Sequence, residues 1–388
     1  MLAHRSTEGF HDVDDWLFSR GGFHTHDYAL PSVGVSYSSP LLQRTGAAEH
    51  QDATVLDAQG VAWHYGNPLG EQRAAETGTI AIDRSQRRVL RVSGADAPGF
   101  LNNLLSQKLD DVPSGFSAGA LDLDTQGHIV HHMDITRVGE NFYLDLPAAQ
   151  FESARDFFTK MVFWSAVTIE EADIAIVTML GKSDIPIPPT VTFSRAVQWL
   201  GAKRVDLGIP RAKLVETMAM LEAEGAQLAG LMAFTAERVR AREPELAADL
   251  DKKSIPHEVP QWISRSEANP AHVHLNKGCY RGQETVARVE NLGRSPRLLV
   301  LLHLDGSAPE RPTVGDDITF NGRKVGRIGT VVDDCDFGPI ALGLVKRSAL
   351  DAGTVEIGDT AASIDPSSIP EDEGPKAGRA AVNRLRGR

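Results

Sequence analysis

The run Asn276-Lys-Gly-Cys-Tyr-Arg-Gly-Gln-Glu-Thr-Val-Ala-Arg288 says more about this chain than any other stretch. Gly278 and Gly282 bracket Cys279, and glycine allows the tight turns and close approach that a side chain would block. Lys277 and Arg281 place two cations beside the sulfur. Gln283 to Glu290 has a helical pattern, with Glu284 in its first turn, an i,i+4 pairing of Glu284 with Arg288, and Asn291-Leu-Gly293 as its stop. The thiol is therefore expected just ahead of a helix N-terminus, where cations and the helix dipole stabilise a thiolate and make Cys279 nucleophilic or metal-binding. The competing reading is a small, inert cysteine buried in a turn, the usual fate of a free thiol.

Past this run, the segments after Pro296 are short and apolar: Leu298 to Leu304, Asp317 to Phe320, Val325 to Val332, Ile340 to Val345 and Val355 to Ile357. Asn321-Gly322 is a type I′ hairpin signal. Together they predict a separate all-β domain, a barrel, over 297–366. Before the run, strands and amphipathic helices interleave irregularly. Val89 to Val92 reads as a strand, and Gly94-Ala-Asp96-Ala-Pro98 opens a helix with Asp96 as N-cap and Phe100, Leu101, Leu104 and Leu105 on one face. Strands are expected at 119–124, 128–136, 141–146 and 173–180. Phe151, Ala154, Phe158 and Met161 recur at helical spacing, and a helix from Pro210 carries Leu214, Val215, Met218 and Leu221 to a stop near Gly225.

At 388 residues the chain has length for two to three domains. Its net charge of −12 gives no global basic field for a nucleic-acid backbone, so direct DNA binding is not expected. Two cysteines, Cys279 and Cys335, exclude a disulfide framework and a CxxC pair and suit a reducing compartment. The first thirty residues have no apolar run of signal-peptide type, and no later stretch approaches 18 apolar residues, so a cytoplasmic protein without membrane attachment is expected. Residues 1–50 read as a partly flexible arm in which Trp16, Leu17 and Phe18 are docking candidates, and 367–388 as a flexible tail with solvated charge.

The motif Lys277-Gly-Cys-Tyr-Arg-Gly-Gln-Glu284 resembles the signature of the YgfZ group, folate-binding proteins related to the glycine-cleavage T-protein, an aminomethyltransferase. The likeness extends over about 60–360, through His64-Tyr-Gly-Asn-Pro-Leu-Gly-Glu-Gln72, Val89 to Leu105, Gly326-Arg-Ile-Gly-Thr330 and Ile340-Ala-Leu-Gly-Leu-Val345. It implies an α+β fold of three lobes around a folate-binding channel: a first α+β folate-binding domain at 51–170, a second at 171–296 ending in the signature, and the C-terminal β-barrel. It also implies tetrahydrofolate or a derivative as cofactor, and support of iron–sulfur cluster assembly or repair in client enzymes, including tRNA-modifying radical-SAM enzymes. Cys279 is then the key thiol, in a loop shaped by Lys277, Gly278, Tyr280, Arg281, Gly282, Gln283, Glu284 and Arg288.

T-proteins hold an acidic side chain near the folate nitrogen in a Gly-Gly-Ile-x-Asp-Asp run, whereas Gln126-Gly-His-Ile-Val-His-His132 puts His131 and His132 at the acidic positions. T-proteins also tend to carry Asp at the position of Cys279. Both departures weigh against the alternative of a tetrahydrofolate-dependent aminomethyl or one-carbon transferase. A non-catalytic folate-binding scaffold is the second alternative. The family's pterin-pairing acid falls on Arg240 in Arg238-Val-Arg-Ala241, and a guanidinium has no acceptor for pterin N–H groups. The folate-contact candidates are Phe234, Arg240 and Glu258, with Glu237 and Glu243 as other replacement acids; Lys277 and Arg288 suit the glutamate tail of folate or an anionic partner.

No permanently bound metal is expected. In a strand His128 and His132 lie about 13 Å apart with His131 on the opposite face, so one ion does not join them. His272 and His274, about 6.6 Å apart on one strand face, are either surface histidines or a transient site with Cys279. Cys335, flanked by Asp333, Asp334 and Asp336, is expected to be inert, its pKa raised.

Overall fold

Along Arg297–Leu304, Leu298, Val300, Leu302 and Leu304 enter one core while Leu299 and Leu301 enter another. A strand with both faces covered reads as a continuous apolar run. This computed structural model describes residues 37–52, 55–265 and 270–370. Arg297–Leu304 belongs to a closed six-stranded antiparallel barrel, completed in spatial order by Gly338–Lys346, Arg323–Asp334, Asp317–Phe320, Thr354–Ile357 and Thr360–Ile364. Asn321 and Gly322 turn the hairpin with φ of 50° and 69°, the left-handed pair that a type I′ turn requires. The outward face, including Leu299, Leu301, Leu342 and Leu344, packs on Leu121, Ile129, Met232, Val239, Trp262 and Val286, joining the barrel to the other lobes.

Two five-stranded sheets make up those lobes. The first, fully antiparallel, runs Ser117–Leu123, Ile129–Val138, Asn141–Leu146, Arg88–Ser93, Thr168–Ala172. Helices Ala97–Leu104 and Ala148–Met161 cover one face of it through Phe100, Leu101, Phe151, Ala154 and Phe158. The second runs Gln227–Ala229, Thr79–Asp83, Ile174–Gly181, Arg204–Pro210, Phe193–Val197, with only the first pair parallel. The chain thus lays the fully buried strand Thr79–Asp83 into the second sheet before building the first. Between the sheets, buried Arg195 pairs with Asp134, Asp145 and Asp206, Arg87 with Asp145, and Arg204 with Asp206.

Three local readings are refined. Asp96 stands at the expected N-cap but makes no capping bond with its side chain; its carboxylate accepts from the backbone N–H of Ala166 at 2.7 Å, tying the helix start to the approach of Thr168–Ala172. The helix after Pro210 is Leu214–Ala223, entered through a tight 3-10 turn at Arg211–Lys213, and Val215 faces solvent because Leu214, Met218 and Leu221 already fill the apolar stripe. Residues 37–50 are not a surface arm, since Leu41 is buried in the second sheet's core and Ser39 bonds Asp83. Trp16, Leu17 and Phe18, and the tail from 371, lie outside the described residues. Pro366–Ser368 is a short turn with Ser368 buried. Among the described residues no helix is long and apolar enough to cross a membrane.

Candidate functional site

Helix Gln283–Leu292 begins at Gly282 and ends at Gly293, both left-handed with φ of 79° and 90°. Gly282 interlocks with the turn between Ser117–Leu123 and Ile129–Val138: a Cβ on it would meet the Asp124 carbonyl oxygen at 2.6 Å, and one on Gly127 would meet Thr285 Cβ at 2.6 Å. Thr285 Oγ1 donates to the Gln126 carbonyl at 2.7 Å and locks the two loops together. The signature glycine therefore serves a backbone approach that no other residue permits.

The two cations beside Cys279 turn inward rather than toward the sulfur. Lys277 Nζ donates to the carbonyls of Asn102, Leu105 and Gln107 at 2.5, 2.5 and 2.9 Å, satisfying the end of helix Ala97–Leu104. Burial pulls its ammonium down to about 8. Arg281 bonds the buried carboxylate of Asp122 at 2.6 Å and lies over the Phe157 ring. Asp122 in turn bonds His131 Nδ1 at 2.8 Å, and His131 Nε2 lies 2.9 Å from Ser153 Oγ. Glu284 and Arg288 are both exposed and form no ion pair with each other, so the expected i,i+4 bridge is absent. Cys279 is exposed and makes no hydrogen bond; Gly278 beside it has open space around its Cα, while Tyr280 is half-buried with Lys277 over its ring and its N–H aimed at Gln283 Oε1.

His272 does not approach Cys279 with His274. Its Nε2 lies 3.0 Å from Nε2 of His132, and both rings pack on Trp262 with centroids 4.8 and 4.7 Å away. Glu243 faces the pair, its carboxyl pushed up to about 7 by burial and by the nearby charge of Asp134. Burial lowers the pKa of both imidazoles, that of His272 further because His132 adjoins it. No sequence pattern pointed to this group, because His132 and His272 stand 140 positions apart and only the sheet register and the Ile263–Ser264/Val273–His274 pairing bring them together.

Of the folate-contact candidates, Arg240 alone lines a cavity of about 380 Å³, with Glu237, Lys182, Lys203, Asp334 and Cys335 among its walls. Its guanidinium grips Asp334 at 2.5 and 2.6 Å and Asp336 at 3.1 Å, clamping helix Leu231–Arg240 to the barrel. Glu237 lines that cavity together with Glu76 and Asp334, and one of its carboxylate oxygens accepts from the Ala202 N–H at 2.6 Å. Phe234 has no free ring face, being covered by Arg84 at 3.8 Å and stacked on Trp199 at 6.0 Å. Glu258 is 1% exposed and held by Arg297 in a network with Asp251, sharing no hydrogen bond or ion pair with Arg240 or Phe234. The side chains of Phe234 and Glu258 are thus both engaged in packing and pairing. Burial and the charges of Asp334 and Asp336 raise the pKa of the Cys335 thiol.

No protein-family model matches the chain. A chloroplastic protein of Arabidopsis thaliana that carries a provisional transferase name is 25% identical over 390 residues, spanning 90% of this chain and 86% of that protein. The tRNA-modifying protein YgfZ of Colwellia psychrerythraea is 24% identical over 273 residues, spanning 64% of this chain and 80% of its own length. In fold, the crystal structure of the glycine cleavage system aminomethyltransferase T from Bartonella henselae superposes with a TM-score of 0.70 at 17% identity, over 87% of this chain and 98% of that one. In sequence the chain is thus similar to YgfZ proteins, and in fold to the glycine cleavage T-protein.

Proposed function

We propose that this chain binds a folate and supports iron–sulfur enzymes, tRNA-modifying ones among them, through the thiol of Cys279, without transferring an aminomethyl group. The observation that carries the reading is the division of labour in the signature loop. Lys277 and Arg281 are spent on buried partners and Gly282 on a backbone contact, while Cys279 is left exposed and unbonded. A thiol held at a surface turn three residues before a helix N-cap is built to meet a partner or a cluster rather than to fill a core. The tRNA-modifying names of relatives agree with this.

The cavity beside Arg240 fits a folate in size and in donor set, since small-molecule pockets run from roughly 300 to 1,000 Å³ with few polar groups. Glu237 would accept from pterin N–H groups, a task Arg240 cannot perform, and Lys182 and Lys203 would meet the carboxylates of the tail. Bound tetrahydrofolate would supply a carrier for one-carbon units. The positions at which T-proteins carry acids hold His131, engaged by Asp122 and Ser153, and His132, engaged by His272, which speaks against aminomethyl transfer.

The test replaces Cys279 by Ala in the host and assays iron–sulfur enzyme activities and tRNA methylthiolation beside a deletion strain. Activities at the deletion level, with the variant folded and still binding folate, support the proposal. Wild-type activities in the variant, where deletion lowers them, overturn it in favour of a scaffold.

A further inference from the structure

The imidazoles of His132 and His272, tilted by 48° with centroids 4.9 Å apart, have the Glu243 carboxylate as a third neighbour. We propose that His132 Nε2, His272 Nε2 and Glu243 Oε1 form a binding site for one divalent transition-metal ion of the zinc class. The nitrogens are 3.0 Å apart, and Glu243 Oε1 lies 3.9 Å from His132 Nε2 and 3.7 Å from His272 Nε2. A triangle with those sides has a circumradius of about 2.1 Å, so one point lies at Zn–N and Zn–O bonding distance from all three atoms.

Charge points the same way. Glu243 is mostly buried and has no Lys or Arg within ion-pair distance; its partners are the two imidazoles and the indole N–H of Trp262, which donates at 3.2 and 3.4 Å to its two oxygens. A mostly buried carboxylate with no directly paired cation is costly, and a dication removes that cost where a proton otherwise must. The imidazole pair is also incomplete by itself. One facing Nε2 must carry a proton to bond the other, and His272 Nδ1 is buried without a partner. Asp134 has a carboxylate oxygen within 4.8 Å of both histidine ligand atoms, but Arg87, Arg195 and Arg204 hold it, so it adds negative potential behind the site rather than a bond.

The surroundings fix the three donors in place. Gln150 Oε1 accepts from the His132 backbone N–H at 2.9 Å, the His272 N–H bonds the Trp262 carbonyl at 3.0 Å, and the His272 ring lies flat on Gly119, where a Cβ would come within 2.1 Å of it. Such supporting contacts orient ligands in metal sites. Two imidazoles and one carboxylate select borderline divalent ions over Mg²⁺ and Ca²⁺, and three protein donors leave at least one position for water or a ligand atom.

The test strips the full-length protein with EDTA and titrates it with Co²⁺, reading the visible absorption of the bound ion and tryptophan fluorescence, then displaces Co²⁺ with Zn²⁺. One equivalent of Co²⁺ is expected, with quenching that disappears in Trp262→Phe although binding persists. His272→Asn and Glu243→Gln should each weaken binding at least 100-fold with the circular dichroism spectrum unchanged. Absence of saturable Co²⁺ binding to the wild type overturns the proposal, as does binding of unchanged affinity in a folded His132→Asn/His272→Asn variant. Should these variants not fold, the quench decides: Co²⁺ bound without quenching Trp262 places the ion elsewhere and refutes the site.

Discussion

Replacing Lys277 by Met keeps the aliphatic stem against Tyr280 and removes the ammonium that caps helix Ala97–Leu104. Three carbonyls, those of Asn102, Leu105 and Gln107, lose a charged donor at 2.5, 2.5 and 2.9 Å. Hydrogen bonds to charged groups contribute roughly 1.5–3 kcal/mol each. Against that gain stands the desolvation that draws the ammonium from its usual 10.5 to about 8, at most roughly 3 kcal/mol and less where solvent still reaches it. The balance is a loss of roughly 1.5–6 kcal/mol for Lys277→Met, read by urea denaturation followed by circular dichroism at pH 7. Folate affinity, measured by calorimetry on the same variant, should change less than about twofold. A stability loss below roughly 0.5 kcal/mol combined with a tenfold loss of folate affinity would refute the capping role and return Lys277 to the anion-binding one.

Asp57 is buried against Glu245, which together push its carboxyl up to about 7. A native state that holds this proton more tightly than the unfolded chain loses stability as pH rises from about 4 through 7, so Asp57→Asn should be stabilising by roughly 1–3 kcal/mol at pH 8 and nearly neutral at pH 4, read from thermal midpoints. Equal effects at both pH values would contradict it. Arg195→Met leaves Asp134, Asp145 and Asp206 buried with their shared cation gone, and should cost about 3–5 kcal/mol in urea denaturation. Glu237→Gln should weaken folate binding about tenfold by calorimetry if its carboxylate receives pterin N–H groups, and leave it unchanged if it does not.

What could be read from the sequence was whatever depends on neighbours in the chain. The barrel strands announce themselves through apolar runs and Asn321-Gly322, and the signature helix through its pattern and the glycine that ends it, because each is decided within a few residues. Strand order is not local: Thr79–Asp83 joins Ile174–Gly181 about a hundred positions later, and no periodicity encodes that partner. The site divides in the same way. The motif isolates Cys279, but the inward course of Lys277 and Arg281 depends on carbonyls and a carboxylate from residues 102–122, which only packing brings near. Nor does the sequence show the partners of Phe234 and Glu258, which are Arg84 and Trp199 for the one and Arg297 for the other. Glu243 and His272 stand out in the sequence for other reasons, but their meeting with His132 is set by chain segments more than a hundred residues away.

Titration calorimetry of tetrahydrofolate against the purified wild-type chain and its Cys279→Ala variant tests the central claim, a folate site in the cavity beside Arg240 that is distinct from an exposed working thiol. One saturable site is expected in both proteins, with affinities equal within about twofold. No saturable binding to the wild type would contradict the folate reading, and binding lost with the thiol would place Cys279 in the folate site rather than on the surface that meets a partner.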